Sequence, residues 1–125
     1  MDVFLAEMIG TALLILLGNG VVANVVLNET KGHASGWIVI CAGWGFAVFV
    51  AVACVADISG AHLNPAVTVG LAAAGKMAWS AVPGYIMAQM TGALVGAALV
   101  FVFYQSHYHV TDNADAKLAT FCTGP

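Results

Sequence analysis

Apolar and polar positions divide the chain into three long uncharged runs joined by shorter polar ones. The first covers about residues 4–26; it centres on Leu13-Leu14-Ile15-Leu16-Leu17, and no charge falls between residues 8 and 28. The second covers about 37–55, with no charge between Trp37 and Ala56. The third covers about 82–104, inside a charge-free stretch from Met77 to Thr111. A helix rising about 1.5 Å per residue needs roughly 20 apolar residues to cross the hydrocarbon layer, so each run predicts a spanning helix. Residues 28–36 read as a short polar loop. Residues 105–125 read as a polar outer loop, because they hold no apolar run of helix length.

A fourth uncharged stretch, residues 58–75, does not read as a span. Ser59-Gly60-Ala61-His62-Leu63-Asn64-Pro65 puts two backbone breakers and three polar side chains into seven residues. A continuous lipid-facing helix through it would leave backbone groups without partners. Pro65 to Ala74 suits a short helix of about 15 Å, half the membrane. The pattern predicts a re-entrant segment: an extended way in, a half-helix over 65–74, and an exit on the side it entered. Asn64-Pro65 is its start signal, since Asn caps an orphan N–H and Pro lacks one at the first helical position. Set near mid-membrane, that N-terminus carries about half a positive charge into low dielectric and repels cations. The Asn64 amide can donate to a passing hydroxyl, and extended Gly60, Ala61 and His62 would offer a ladder of carbonyl acceptors.

Composition narrows the class. Hydrophobic residues make up 62% of the 125 residues and charged ones 7%, mean hydropathy is +0.96, and the net charge is −3 with no arginine. A soluble domain carries about 25% charged residues, so the chain is expected to be an all-α integral membrane protein forming a single unit. Nucleic-acid binding is excluded for want of a basic patch. The N-terminus lacks a basic leader region, and the first run reads as a retained helix. Cys41, Cys54 and Cys122 show no metal-ligand spacing and read as small apolar packers, so no metal or cofactor is expected. No Ser/His/Asp or HExxH arrangement suggests an enzyme.

Residues 59–68, Ser-Gly-Ala-His-Leu-Asn-Pro-Ala-Val-Thr, resemble the first NPA signature of the aquaporin and glycerol-facilitator (major intrinsic protein) family. Ala6-Glu7-Met8-Ile9-Gly10-Thr11 resembles that family's first helix, and Ala88-Gln89-Met90-Thr91-Gly92-Ala93 its third. Phe121-Cys122-Thr123-Gly124-Pro125 resembles the outer loop of glycerol facilitators. The resemblance implies one inverted repeat of the aquaporin-like fold, in the plasma or inner membrane, working as part of a homotetramer. It implies a passive, cofactor-free channel for glycerol and other small neutral polyols, with water. Trp44, 20 residues before Asn64, stands where glycerol facilitators carry the filter tryptophan. An indole face suits the carbon edge of a polyol. Cys41, Trp44, Val48 and Ala51 or Val52 share a helix face that would line one side of the pore. Gly60, Ala61, His62, Asn64, Pro65 and Ala66 would form the rest, with Glu7 and Gln89 as structural support.

The sequence also departs from the family. A second NPA and the filter arginine that follows it are absent, so one half-helix would line half a pore. The resemblance therefore predicts the N-terminal part of a longer channel. The alternatives are a second half supplied by separate chains, or two copies in opposite orientation. A water-selective channel and a non-conducting membrane subunit are the rival functions; the last predicts that replacing Trp44 or Asn64 leaves function intact.

Overall fold

The computed structural model describes residues 1–122, which form helices, turns and loops without a strand. Helix α1 (Val3–Val26) starts at Asp2, whose carboxylate accepts the Leu5 N–H at 2.8 Å. A negative cap suits the positive end of a helix. Helix α2 (Trp37–Ser59) runs four residues beyond the predicted 37–55, because nothing interrupts it before Gly60, whose φ of 82° ends it in the left-handed region. Helix α3 (Pro65–Ala73) is the predicted half-helix, one residue shorter. A 3-10 turn (Trp79–Ala81) leads into α4 (Val82–Phe103). Helices α1 and α2 and the stretch Trp79–Phe103 are each long and apolar enough to cross a membrane.

Helix α1 is the central element, packed on α4 along one side and on α2 along another. It runs parallel to α4 in nearly constant register: Glu7 bonds Gln89, Ala12 meets Gly96, and Asn28 bonds Val110. Small residues on α4 set the close approach. Ala88, Gly92 and Gly96 are all buried; a Cβ on Gly96 would lie 2.6 Å from the Ala12 carbonyl oxygen, and one on Gly92 would strike that of Met8. Without a hydrophobic drive between lipid-bathed helices, such backbone contact is a main source of packing. Against α2, Gly18 leaves room for the Trp44 ring and Gly43 for Val21. Phe46, Phe49, Leu94 and Phe103 remain 70–78% exposed on the outside. That is the surface expected where hydrocarbon is the solvent.

Helix α3 returns the chain toward the end it came from. Gln89, which meets Thr68 in the first turn of α3, lies seven residues into α4, about 10 Å along it. Nine residues of α3 cover about 13 Å, enough to reach the start of α4 again.

The segment after α4, predicted as a polar outer loop over 105–125, carries short helices within the described residues. It holds two six-residue helices, α5 (Gln105–Val110) and α6 (Ala114–Ala119). Asn113 caps α6 by accepting the Asp115 and Ala116 N–H groups. Tyr108 is buried, stacked on Phe121 and hydrogen-bonded to Thr120 at 2.6 Å. Helices this short leave no readable periodicity. Thr111 fastens the segment to the end of α1: its hydroxyl accepts the Asn28 N–H at 2.8 Å and donates to the His107 carbonyl at 2.7 Å. Thr111→Val removes the acceptor of that partly buried amide and is expected to cost about 1 kcal/mol, read as a lower melting temperature and faster proteolysis after residue 104. The glycerol-facilitator-like string over 121–125 falls partly outside the described residues, which end at 122.

Candidate functional site

The carboxylate of Glu7, fully buried in α1, gathers the chain's irregular segment around itself. Its Oε1 accepts from the Ser59 hydroxyl at 2.6 Å and the His62 N–H at 2.9 Å. Its Oε2 accepts from the Leu63 N–H and from Gln89 Nε2, both at 2.8 Å. Four donors around one carboxyl group meet the acceptor demand that burial would otherwise leave unsatisfied. Gln89, 1% exposed, spends its second amide proton on Thr68 Oγ1 at 3.0 Å. That hydroxyl also faces the Asn64 carbonyl at 3.3 Å and His62 Nδ1 at 3.1 Å. The hydroxyl accepts from Gln89 and has one proton to give, to the Asn64 carbonyl or to His62 Nδ1, and the His62 tautomer follows that choice. Tyr85 closes the cluster, packing against the His62 ring at a tilt of 32° with centroids 4.5 Å apart and donating to the Ser59 carbonyl at 2.8 Å.

These bonds hold a backbone that differs from the expected extended ladder. Gly60 (φ 82°), Ala61 (φ 50°) and Leu63 (φ 55°) are left-handed. The longer α2 leaves only four residues to reverse direction before the Asn64 cap, and left-handed residues turn the His62 and Leu63 N–H groups onto Glu7. A non-glycine residue in that region costs about 1–2 kcal/mol. Glu7 supplies the offset for Ala61 and Leu63, and Gly10 leaves the space into which Leu63 packs. Because the N–H groups point inward to Glu7, the carbonyls of Gly60, Ala61, His62 and Leu63 are left without a donor among the described residues. Asn64 is extended and exposed; its Oδ1 accepts the Ala66 N–H at 2.8 Å, and its Nδ2 protons have no partner among the described residues. Pro65 occupies the first turn and Ala66 is exposed beside it. The site thus presents free acceptors, one free amide donor and a helix N-terminus within one short segment.

Trp44 and Cys41 lie toward the other end of α2. They border a cavity of about 450 Å³ together with Asn19, Trp37, Ile40 and Phe121. Val48 is exposed one turn further along and does not reach this cavity. The predicted common face divides there: Val52 is exposed, whereas Ala51 is fully buried against Ala6, Val55 and Leu63 as part of the core. Sequence reasoning missed three residues. Tyr85 gave no signal beyond being aromatic near a helix start. Thr68 lay within the motif but was assigned no role. Asn19, a lone amide between Gly18 and Gly20 in an apolar run, was the readable one.

Known proteins resemble the chain in sequence and fold. Residues 1–123 match the family described as major intrinsic protein. A probable glycerol uptake facilitator protein of Thermotoga maritima is 63% identical over 125 residues, which is 100% of this chain and 53% of that protein. A glycerol uptake facilitator protein of Bacillus subtilis is 50% identical over 125 residues, 100% of this chain and 46% of that protein. Among solved structures, the aquaglyceroporin from Plasmodium falciparum superposes with a TM-score of 0.79 at 39% identity, covering 86% of this chain and 43% of that one. The chain spans about half the length of the curated relatives it matches.

Proposed function

The chain belongs to the major intrinsic protein family, and on that footing we propose that it forms one wall of a passive transmembrane channel for glycerol and other small neutral polyols, with water. The observation that carries this reading is the segment from Gly60 to Ala66. The His62 and Leu63 N–H groups are drawn to Glu7, and the carbonyls of Gly60 to Leu63 have no donor among the described residues, with the Asn64 amide next along the chain. A polyol hydroxyl both donates and accepts, so it can exchange partners along such a track without a charge change. Asn64 orients hydroxyls, the Gly60 to His62 carbonyls accept from them, and Trp44 and Val48 form the apolar side against which the carbon edge slides. Pro65 and Ala66 set the helix end that points the macrodipole at the track and disfavours cations. Glu7 and Gln89 act behind this surface as its support. The names of the two relatives support glycerol as permeant. The reading extends to homotetramers in the cell membrane, testable by the mass of the purified assembly.

The test is stopped-flow light scattering on liposomes. They would carry this chain alone, and this chain joined to the remainder of the Thermotoga maritima relative in place of its own matched half. Glycerol flux from the joined protein above empty liposomes is the expected result. Correctly inserted, helical protein without flux would overturn the reading. Asn64→Leu removes both the donor and the cap. It is expected to lower glycerol flux at least about tenfold, the worth of one or two hydrogen bonds in the transition state, while weakening α3 by about 1 kcal/mol.

A further inference from the structure

The cavity beside Trp44 holds one polar side chain that no part of the track uses. Asn19 is 8% exposed, lines the cavity of about 450 Å³, and has no hydrogen-bond partner among the described residues. Its neighbours there are Trp37, Trp44, Ile40, Cys41 and Phe121, none of them charged. A buried amide is ordinarily hydrogen-bonded, and one aimed into a roomy apolar cavity marks where a ligand's polar group belongs. Resting on the channel reading above, we propose that Asn19 anchors a small neutral polyol in this cavity and sets the preference for polyols over water.

The chemistry selects the occupant. With no charge in the wall, an ion would lack a counter-charge. A hydrocarbon chain would fill the apolar part and leave both amide groups unpaired. Water alone would satisfy the amide and wet two indoles. A polyol does both jobs: one hydroxyl donates to Asn19 Oδ1, a second accepts from Nδ2, and the carbon edge lies on the rings. The wall is also built to hold its shape. The Trp44 ring rests over Gly18, where an added Cβ would lie 2.5 Å from it, so the residue before Asn19 fixes the indole beside the amide.

The test uses the 125-residue chain in lipid nanodiscs, with tryptophan fluorescence as the readout; Trp37 and Trp44 border the cavity. Glycerol is expected to give a saturable change that n-propanol does not. Asn19→Leu is expected to weaken it about tenfold, the size of one neutral hydrogen bond, and Asn19→Ser by less. Circular dichroism checks that each variant is helical; if the leucine variant is not, the serine variant decides. No saturable response, or equal affinity in the variants, overturns the proposal. Flux through the joined channel separates it from the reading on which it rests. Glycerol flux whose ratio to water flux ignores Asn19 removes this subsite and leaves the channel. Asn19-dependent binding without flux leaves the subsite and removes the channel.

Discussion

Replacing Glu7 with leucine is expected to be the most damaging single change in the chain. The leucine fits the volume, but four donors lose their acceptor at once: the Ser59 hydroxyl, the His62 and Leu63 N–H groups and Gln89 Nε2. Each donor left buried without an acceptor costs about 1–3 kcal/mol, and several together are a large part of a small domain's stability. The local consequence follows from the backbone. Ala61 and Leu63 hold left-handed conformations only while their neighbouring N–H groups are bound, so the segment relaxes toward ordinary φ values. The carbonyls then turn from their present places and Asn64 loses its position. Thermal unfolding in detergent should show the lower midpoint, and glycerol flux through the joined channel should vanish. Glu7→Gln is the graded control: one amide oxygen can still accept, while the NH2 meets donors, so an intermediate loss is expected. A leucine variant with unchanged melting and flux would mean that the cluster around Glu7 is not what holds the segment.

The second large effect lies in the backbone contact between α1 and α4. Gly92→Ala adds a single methyl group, yet that carbon lands on the Met8 carbonyl oxygen, which is main chain and cannot rotate aside. The helices must separate, and Gln89, one turn before, is drawn from Glu7 and Thr68. Overpacking of this kind costs about 1–3 kcal/mol, and leucine at the same place more. Gly20→Ala provides the contrast, since nothing lies within 4 Å of its added carbon. There the gain in helix propensity, at most about 1 kcal/mol, is the only term, and stability should hold or rise. Melting curves of the two variants side by side give the test. Equal behaviour would show that the close approach is not a constraint.

The long elements were legible because they rest on one-dimensional signals. Uncharged runs gave the three spans, and Asn64-Pro65 gave the start of the half-helix to the residue. What was not legible depends on meetings between distant parts. The left-handed conformation of Ala61 and Leu63 arises from a carboxylate more than fifty positions earlier, and both residues would pass for ordinary strand or helix formers on their own. The division of the Trp44 face, with Ala51 in the core, reflects where α2 meets α1, since Ala51 packs against Ala6. The two short helices after α4 are stabilised by a cap at Asn113 and by Tyr108 docking on Thr120, neither of which has a period. Asn19 belongs to a third kind: its polarity was visible in the sequence, but the cavity that gives it meaning is bordered by residues as distant as Phe121 and Cys122.

The near-constant register between α1 and α4 also orders events during synthesis. Partners along that seam are 82–84 positions apart, so α1 leaves the ribosome and reaches the bilayer well before α4 exists. Glu7 then has no donors: Ser59, His62 and Leu63 follow more than fifty residues later, and Gln89 later still. Its place four residues into the helix, about 6 Å from the start, makes the delay tolerable, because the carboxylate can wait at the headgroup level among waters. The nascent chain therefore carries its most demanding group near the water boundary and draws it into a dry setting late, as first the half-helix and then α4 arrive to enclose it.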